Sequence, residues 1–148
     1  LFEGATINTP SMLCVEDYLD ALAWARKTGG LGALCERSKM NLKVISDWVA
    51  QTPWVDFLAV ESDIRSSTSI CLTLGDTNDD EAKTSGAEDI PKRMAGLLEA
   101  EQVAFDINAY RSAPSGLRIW GGATVECDDL ETLIPWLEWA YHTAIAEN

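Results

Sequence analysis

The chain is short of several things, and each shortage removes a class of function. It has one histidine, His142, and four cysteines, Cys14, Cys35, Cys71 and Cys127, with no CxxC pair among them. Zinc centres draw most of their ligands from clustered Cys and His, so no metal site is expected. A Ser-His-Asp or Cys-His catalytic set would have to use His142, which lies deep in an amphipathic C-terminal pattern. Basic residues are also few: 11 Lys and Arg stand against 24 Asp and Glu, for a net charge of -13. Nucleic-acid binding needs a basic face to displace phosphate counterions, so that class is set aside. No apolar run reaches the length of a membrane span, and the N-terminus lacks the pattern of a signal peptide. There is no initiator Met; Leu1 begins in mid-pattern, and a fragment of a longer protein is expected. The cysteines read as small core residues of a protein in a reducing cytoplasm.

What is present suits folding. The 148 residues are 47% hydrophobic, enough for one core. Helical spacing runs from Ser11 or Val15 to Thr28, and Gly29-Gly30 stops it. A longer helix follows over Leu31 to Gln51, with Leu31, Leu34, Cys35, Ser38, Leu42, Ile45 and Val49 on its apolar face. Strands are expected over 54–60, 66–74, 103–107 and 117–121. A third helix spans Ile90 to Glu101, with Pro91 in its first turn. The last helix is capped by Asp128 or Asp129, and its core face holds Leu130, Leu133, Ile134, Leu137, Tyr141, Ala144 and Ile145. Short connectors between successive strands favour antiparallel pairing. The expected fold class is α+β: a mainly antiparallel four-stranded sheet with helices packed on one face.

The acidic run Asp76-Thr77-Asn78-Asp79-Asp80-Glu81 mimics a calcium loop but fails at two positions. Glu81 stands where a glycine is required and Ala87 where a bidentate Glu is required. It reads as a solvated acidic loop. Gly29-Gly30-Leu31-Gly32 lies between helices and is not a phosphate loop.

Two stretches carry chemistry. Thr6-Ile7-Asn8-Thr9-Pro10 sets hydrogen-bond donors before a helix N-terminus, which suits either an anion or ordinary N-capping by Thr9 or Ser11. In Ser115-Gly116-Leu117-Arg118-Ile119-Trp120 an arginine sits within an apolar strand. Such a charge needs a partner: a bound carboxylate held by two parallel hydrogen bonds, or an internal acid. Trp120, close to Arg118, stands out among the six tryptophans.

Together, GATINTPSML, the GGL between two helices, and YRSAPSGLRIWGGATVECDDLETLIPWLEW resemble the C-terminal part of the phosphoserine aminotransferases, class V pyridoxal-phosphate-dependent enzymes. The resemblance covers nearly the whole chain. It implies the small C-terminal domain of a fold-type I pyridoxal-phosphate enzyme over residues 1–148, with 1–12 a remnant of the large cofactor domain. It implies a cytoplasmic homodimer in which Asn8 and Thr9 hydrogen-bond the cofactor phosphate held by the other subunit. Arg118, in the family's GLR motif, would grip the substrate α-carboxylate. Arg111 is the nearest match to the arginine that meets the substrate phosphate, although better-known members have His-Arg where this chain has Tyr110-Arg111. The lysine that carries the cofactor precedes the NTP segment in the family, and Lys27, Lys39, Lys43, Lys83 and Lys92 match no such motif. The chain by itself is thus expected to be inactive, and to hold no catalytic residue. The implied reaction moves an amino group between glutamate and 3-phosphohydroxypyruvate in serine biosynthesis, with a possible role in vitamin B6 biosynthesis. Two alternatives stand beside it: an alanine- or serine–glyoxylate aminotransferase of the same class, and a non-catalytic α+β module that binds a small molecule or a partner.

Overall fold

A computed structural model describes residues 8–75 and 90–146. The acidic run at 76–81, with Ala87, lies outside them. The chain divides into two compact units, 1–36 and 37–148.

The first unit holds α1 (Met12–Thr28) and the opening turns of α2 (Gly30–Val49). The Ser11 side chain caps α1 by accepting from the Cys14 amide at 3.5 Å. Arg26 and Lys27 in the last turn complement the helix dipole. Gly29 ends the helix with φ 116°, a left-handed conformation that favours glycine, and its amide returns to the carbonyls of Ala25 and Arg26. Of the two glycines expected to stop the helix, Gly29 does so, and Gly30 is the first residue of α2. No residue of α1 is buried.

The second unit holds the rest of α2, three strands and two further helices. The strands are β1 (Val55–Phe57), β2 (Ser69–Leu74) and β3 (Leu117–Trp120); the helices are α3 (Ile90–Ala100) and α4 (Cys127–Ala146). The sheet is antiparallel in the order β1-β2-β3, with Phe57 opposite Leu72, Ile70 opposite Ile119 and Leu72 opposite Leu117. Side chains alternate across a strand, so Val55, Phe57, Ile70, Leu72, Leu117 and Ile119 share one face. All six are buried, and they cluster with Ile45 and Trp48 of α2, Met94 and Leu98 of α3, and Leu130, Leu137, Ala140 and Ala144 of α4. Asp56, Cys71, Thr73, Arg118 and Trp120 occupy the opposite face.

Three expectations need correction. The sheet has three strands among the described residues, not four. Segment 103–107 does not extend, because Gln102 and Asp106 adopt φ 59° and 53°. The amides of Val103 and Ala104 instead turn back to the Leu98 carbonyl at the end of α3. Only an isolated bridge, Asn108 with Leu117, continues towards β3. Second, the buried face of α2 is Ser38, Asn41, Ile45 and Trp48; Leu31 is exposed. The Asn41 side-chain amide donates to the carbonyls of Gly121, Gly122 and Val125, and its oxygen accepts from the Cys127 thiol. Those bonds satisfy a polar group that is fully buried. Third, the cysteines are not core residues. Cys14 and Cys35 are exposed, and Cys71 and Cys127 are half-buried.

Candidate functional site

Arg118 sits in the middle of β3, opposite Cys71, on the sheet face away from the core. The alternation that buries Leu117 and Ile119 turns Arg118 outward. The preceding glycine is required by packing: a Cβ at Gly116 would lie 2.0 Å from the Leu72 carbonyl oxygen. The Gly-Leu-Arg sequence thus lets the chain press onto β2 before delivering the arginine.

Among the described residues, Tyr110 and Asp106 hold the guanidinium. Nη1 donates to the Tyr110 hydroxyl at 2.8 Å. Nη2 donates to Asp106 Oδ2 at 3.0 Å and to the Asp106 carbonyl at 3.3 Å. The Tyr110 ring lies beneath the guanidinium carbon, 4.1 Å from its centroid, a cation–π contact. Nε is buried and has no hydrogen-bond partner among the described residues. The Asp106 side chain is 88% exposed, that of Arg118 only 20%. Of the two partners read from the sequence for Arg118, the internal acid is present, and it stands at the solvent edge.

Two hollows concern these residues. Arg118 borders a groove of about 230 Å³ with Phe105, Trp120 and Leu133. Arg111 lines a cleft of about 620 Å³ with Lys92, Asn108, Tyr110 and Ser115. Arg111 is exposed and belongs to this larger cleft, which Arg118 does not line. The structure therefore places Arg111 and Arg118 on the same stretch of loop and strand but not in one hollow. Asn8 and Thr9 are exposed and precede α1, in the other unit. Their amide and hydroxyl groups suit hydrogen bonds to a phosphate, but they bring no charge to neutralise one. Among the described residues no group of three His, Cys, Asp or Glu side chains could hold a metal ion, and no helix is long and apolar enough to cross a membrane.

Sequence reasoning identified Arg118 and Trp120 but missed Asp106 and the contact made by Tyr110. Asp106 is one of 24 acids, and it falls where apolar alternation predicts a strand. Its left-handed backbone leaves no local signal beyond Asp itself, a residue that tolerates that conformation.

The fold of this chain recurs in solved structures. The phosphoserine aminotransferase from Bacillus circulans subsp. alkalophilus superposes with a TM-score of 0.71 at 22% identity, covering 92% of this chain and 34% of that one. A pyridoxal-phosphate-bound phosphoserine aminotransferase from Trichomonas vaginalis gives 0.71 at 15% identity, covering 90% and 34%. At these identities the likeness is one of fold. The sequence match goes further. The chain is 50% identical over 141 residues, 95% of its length, to a phosphoserine aminotransferase of Methanosarcina mazei, and 50% identical over 142 residues to that of Methanosarcina barkeri. It is homologous, along nearly its whole length, to one segment of the phosphoserine aminotransferases, and it spans about 35% of the length of these relatives. No family model matches the chain.

Proposed function

We propose that the chain is the C-terminal domain of a phosphoserine aminotransferase, with residues 1–12 belonging to the large cofactor domain of the full-length protein. The full-length protein then transfers an amino group between glutamate and 3-phosphohydroxypyruvate in serine biosynthesis, in the cytoplasm and as a homodimer. The observation that carries this reading is the half-identical match to the Methanosarcina proteins across nearly all of the chain.

In this reading pyridoxal phosphate, when bound, supplies the electron sink for the transfer. The residues of this chain do other work. Arg118 orients the amino-acid substrate through its α-carboxylate, using the planar fork that suits carboxylate recognition. Arg111, exposed at the larger cleft, meets the substrate phosphate. Asn8 and Thr9 add neutral donors to a cofactor phosphate held by a partner subunit. None of the lysines here matches the family motif that carries the cofactor, so the chain alone is expected to be inactive.

The test is an amino-transfer assay on the full-length protein, with the purified chain beside it. Glutamate with 3-phosphohydroxypyruvate should be turned over by the full-length protein, and nothing by the chain alone. Turnover of alanine or serine with glyoxylate, and none with the phosphorylated keto acid, would overturn the proposal in favour of a glyoxylate-type enzyme of the same class. Tyr110 in place of the family's histidine is the feature that keeps this second reading in view.

A further inference from the structure

The guanidinium of Arg118 offers two edges to a carboxylate: Nε with Nη2, or Nη1 with Nη2. The first is closed, because Nε is buried. The second is open, but both of its nitrogens are already engaged, one by the Tyr110 hydroxyl and one by Asp106. Tyr110 is a neutral partner that accepts from Arg118 and keeps its own hydroxyl proton to donate. Asp106 is the only anion recorded on this arginine among the described residues. It reaches Arg118 through one carboxylate oxygen, from a side chain almost entirely in solvent.

We propose that Asp106 is a displaceable internal counter-ion for Arg118: it occupies the carboxylate-binding edge and competes with the substrate carboxylate for it. This rests on the reading of Arg118 as the carboxylate site. Asp106 here is a positioning residue. It holds the guanidinium flat over Tyr110 while the site is empty, and it yields when a substrate brings two carboxylate oxygens to the same edge. A pair whose acid stands almost entirely in solvent, with a single charged contact, is weak enough to be exchanged in this way. A paired, two-oxygen contact is the stronger competitor. Asp106, at φ 53°, offers both its carbonyl and its side chain to Nη2. The carbonyl contact remains when the side chain leaves.

The experiment measures binding of glutarate, a dicarboxylate without an amino group to transfer, to the full-length protein by calorimetry. Asp106→Asn keeps a residue that tolerates the left-handed backbone and removes the charge; Asp106→Gly keeps the backbone freedom and removes the whole side chain. Both should bind glutarate about two- to fivefold more tightly than the parent, the scale of one exposed ion pair. Arg118→Lys should weaken binding more than about tenfold, through loss of the fork. Unchanged or weaker binding in both Asp106 variants, with Arg118→Lys still damaging, would overturn the counter-ion proposal and leave Arg118 as the carboxylate site. An Arg118→Lys protein that binds like the parent would overturn that underlying reading, and the proposal with it.

Discussion

Helices α1 and α4 are similar in length, 17 and 20 residues, and both carry many apolar side chains. In α4, Leu130, Leu137, Ala140 and Ala144 are 0–3% exposed. In α1, Met12, Leu13, Tyr18, Leu19 and Leu22 are 43–71% exposed, and nothing is buried. The difference lies in what each helix meets. The buried residues of α4 pack against α3 and the sheet face that β1, β2 and β3 fill with Val, Phe, Ile and Leu. Amphipathic spacing brings a helix a candidate core face; only an opposing apolar surface turns it into a core.

The largest expected effect sharpens that contrast. Leu137→Ala, at a fully buried site, should destabilise the chain by about 2–5 kcal/mol, whereas Leu22→Ala should stay within about 0.5 kcal/mol. Denaturant unfolding followed by fluorescence of the core tryptophans, Trp48 and Trp54, would measure both. Equal losses would break the comparison, because they would mean that α1 shares the core's cooperative unit.

A smaller effect concerns pH. The Tyr141 ring stacks on Trp54, with centroids 3.8 Å apart and planes 5° from parallel. Burial raises its pKa above the ordinary tyrosine value, since the charged phenolate is the form that loses solvent. In the unfolded chain the phenol ionises first, from about pH 10. Its contribution is thus fully present below that pH and is lost as pH rises through the higher native value. Tyr141→Phe should show a shallower loss of stability above about pH 10 and little change at neutral pH. An identical alkaline slope in the two proteins would remove Tyr141 from the account.

Much of this was legible in the sequence. The glycine pair after α1, the antiparallel β1-β2 pairing and the outward arginine each have a local cause: a left-handed stop, a short connector, or a charge within an apolar alternation. The fourth strand was misread for a physical reason. Val103, Phe105 and Ile107 alternate as a strand should, but Gln102 and Asp106 turn the backbone left-handed, and the amides of Val103 and Ala104 bond to Leu98. No spacing rule carries that information. Asn41 was likewise hidden. Its burial depends on three carbonyls between Gly121 and Val125, some eighty residues further on. The site was half legible: Arg118 stands out by its charge, while Asp106 becomes its partner only through a fold that the residues between them determine.

In the proposed function, Arg118 orients substrate through a carboxylate common to every amino acid. Its most direct test is the kinetics of Arg118→Lys in the full-length protein, measured separately for each half-reaction, with Arg111→Ala beside it. Losing the two-pronged grip costs on the order of 2–5 kcal/mol, so Arg118→Lys should lose more than tenfold in kcat/KM with glutamate and with the phosphorylated partner alike. Arg111→Ala should impair only the phosphorylated substrate. Intact kinetics in Arg118→Lys, with a lowered Tm, would contradict this role and make the arginine only a structural partner of Asp106 and Tyr110.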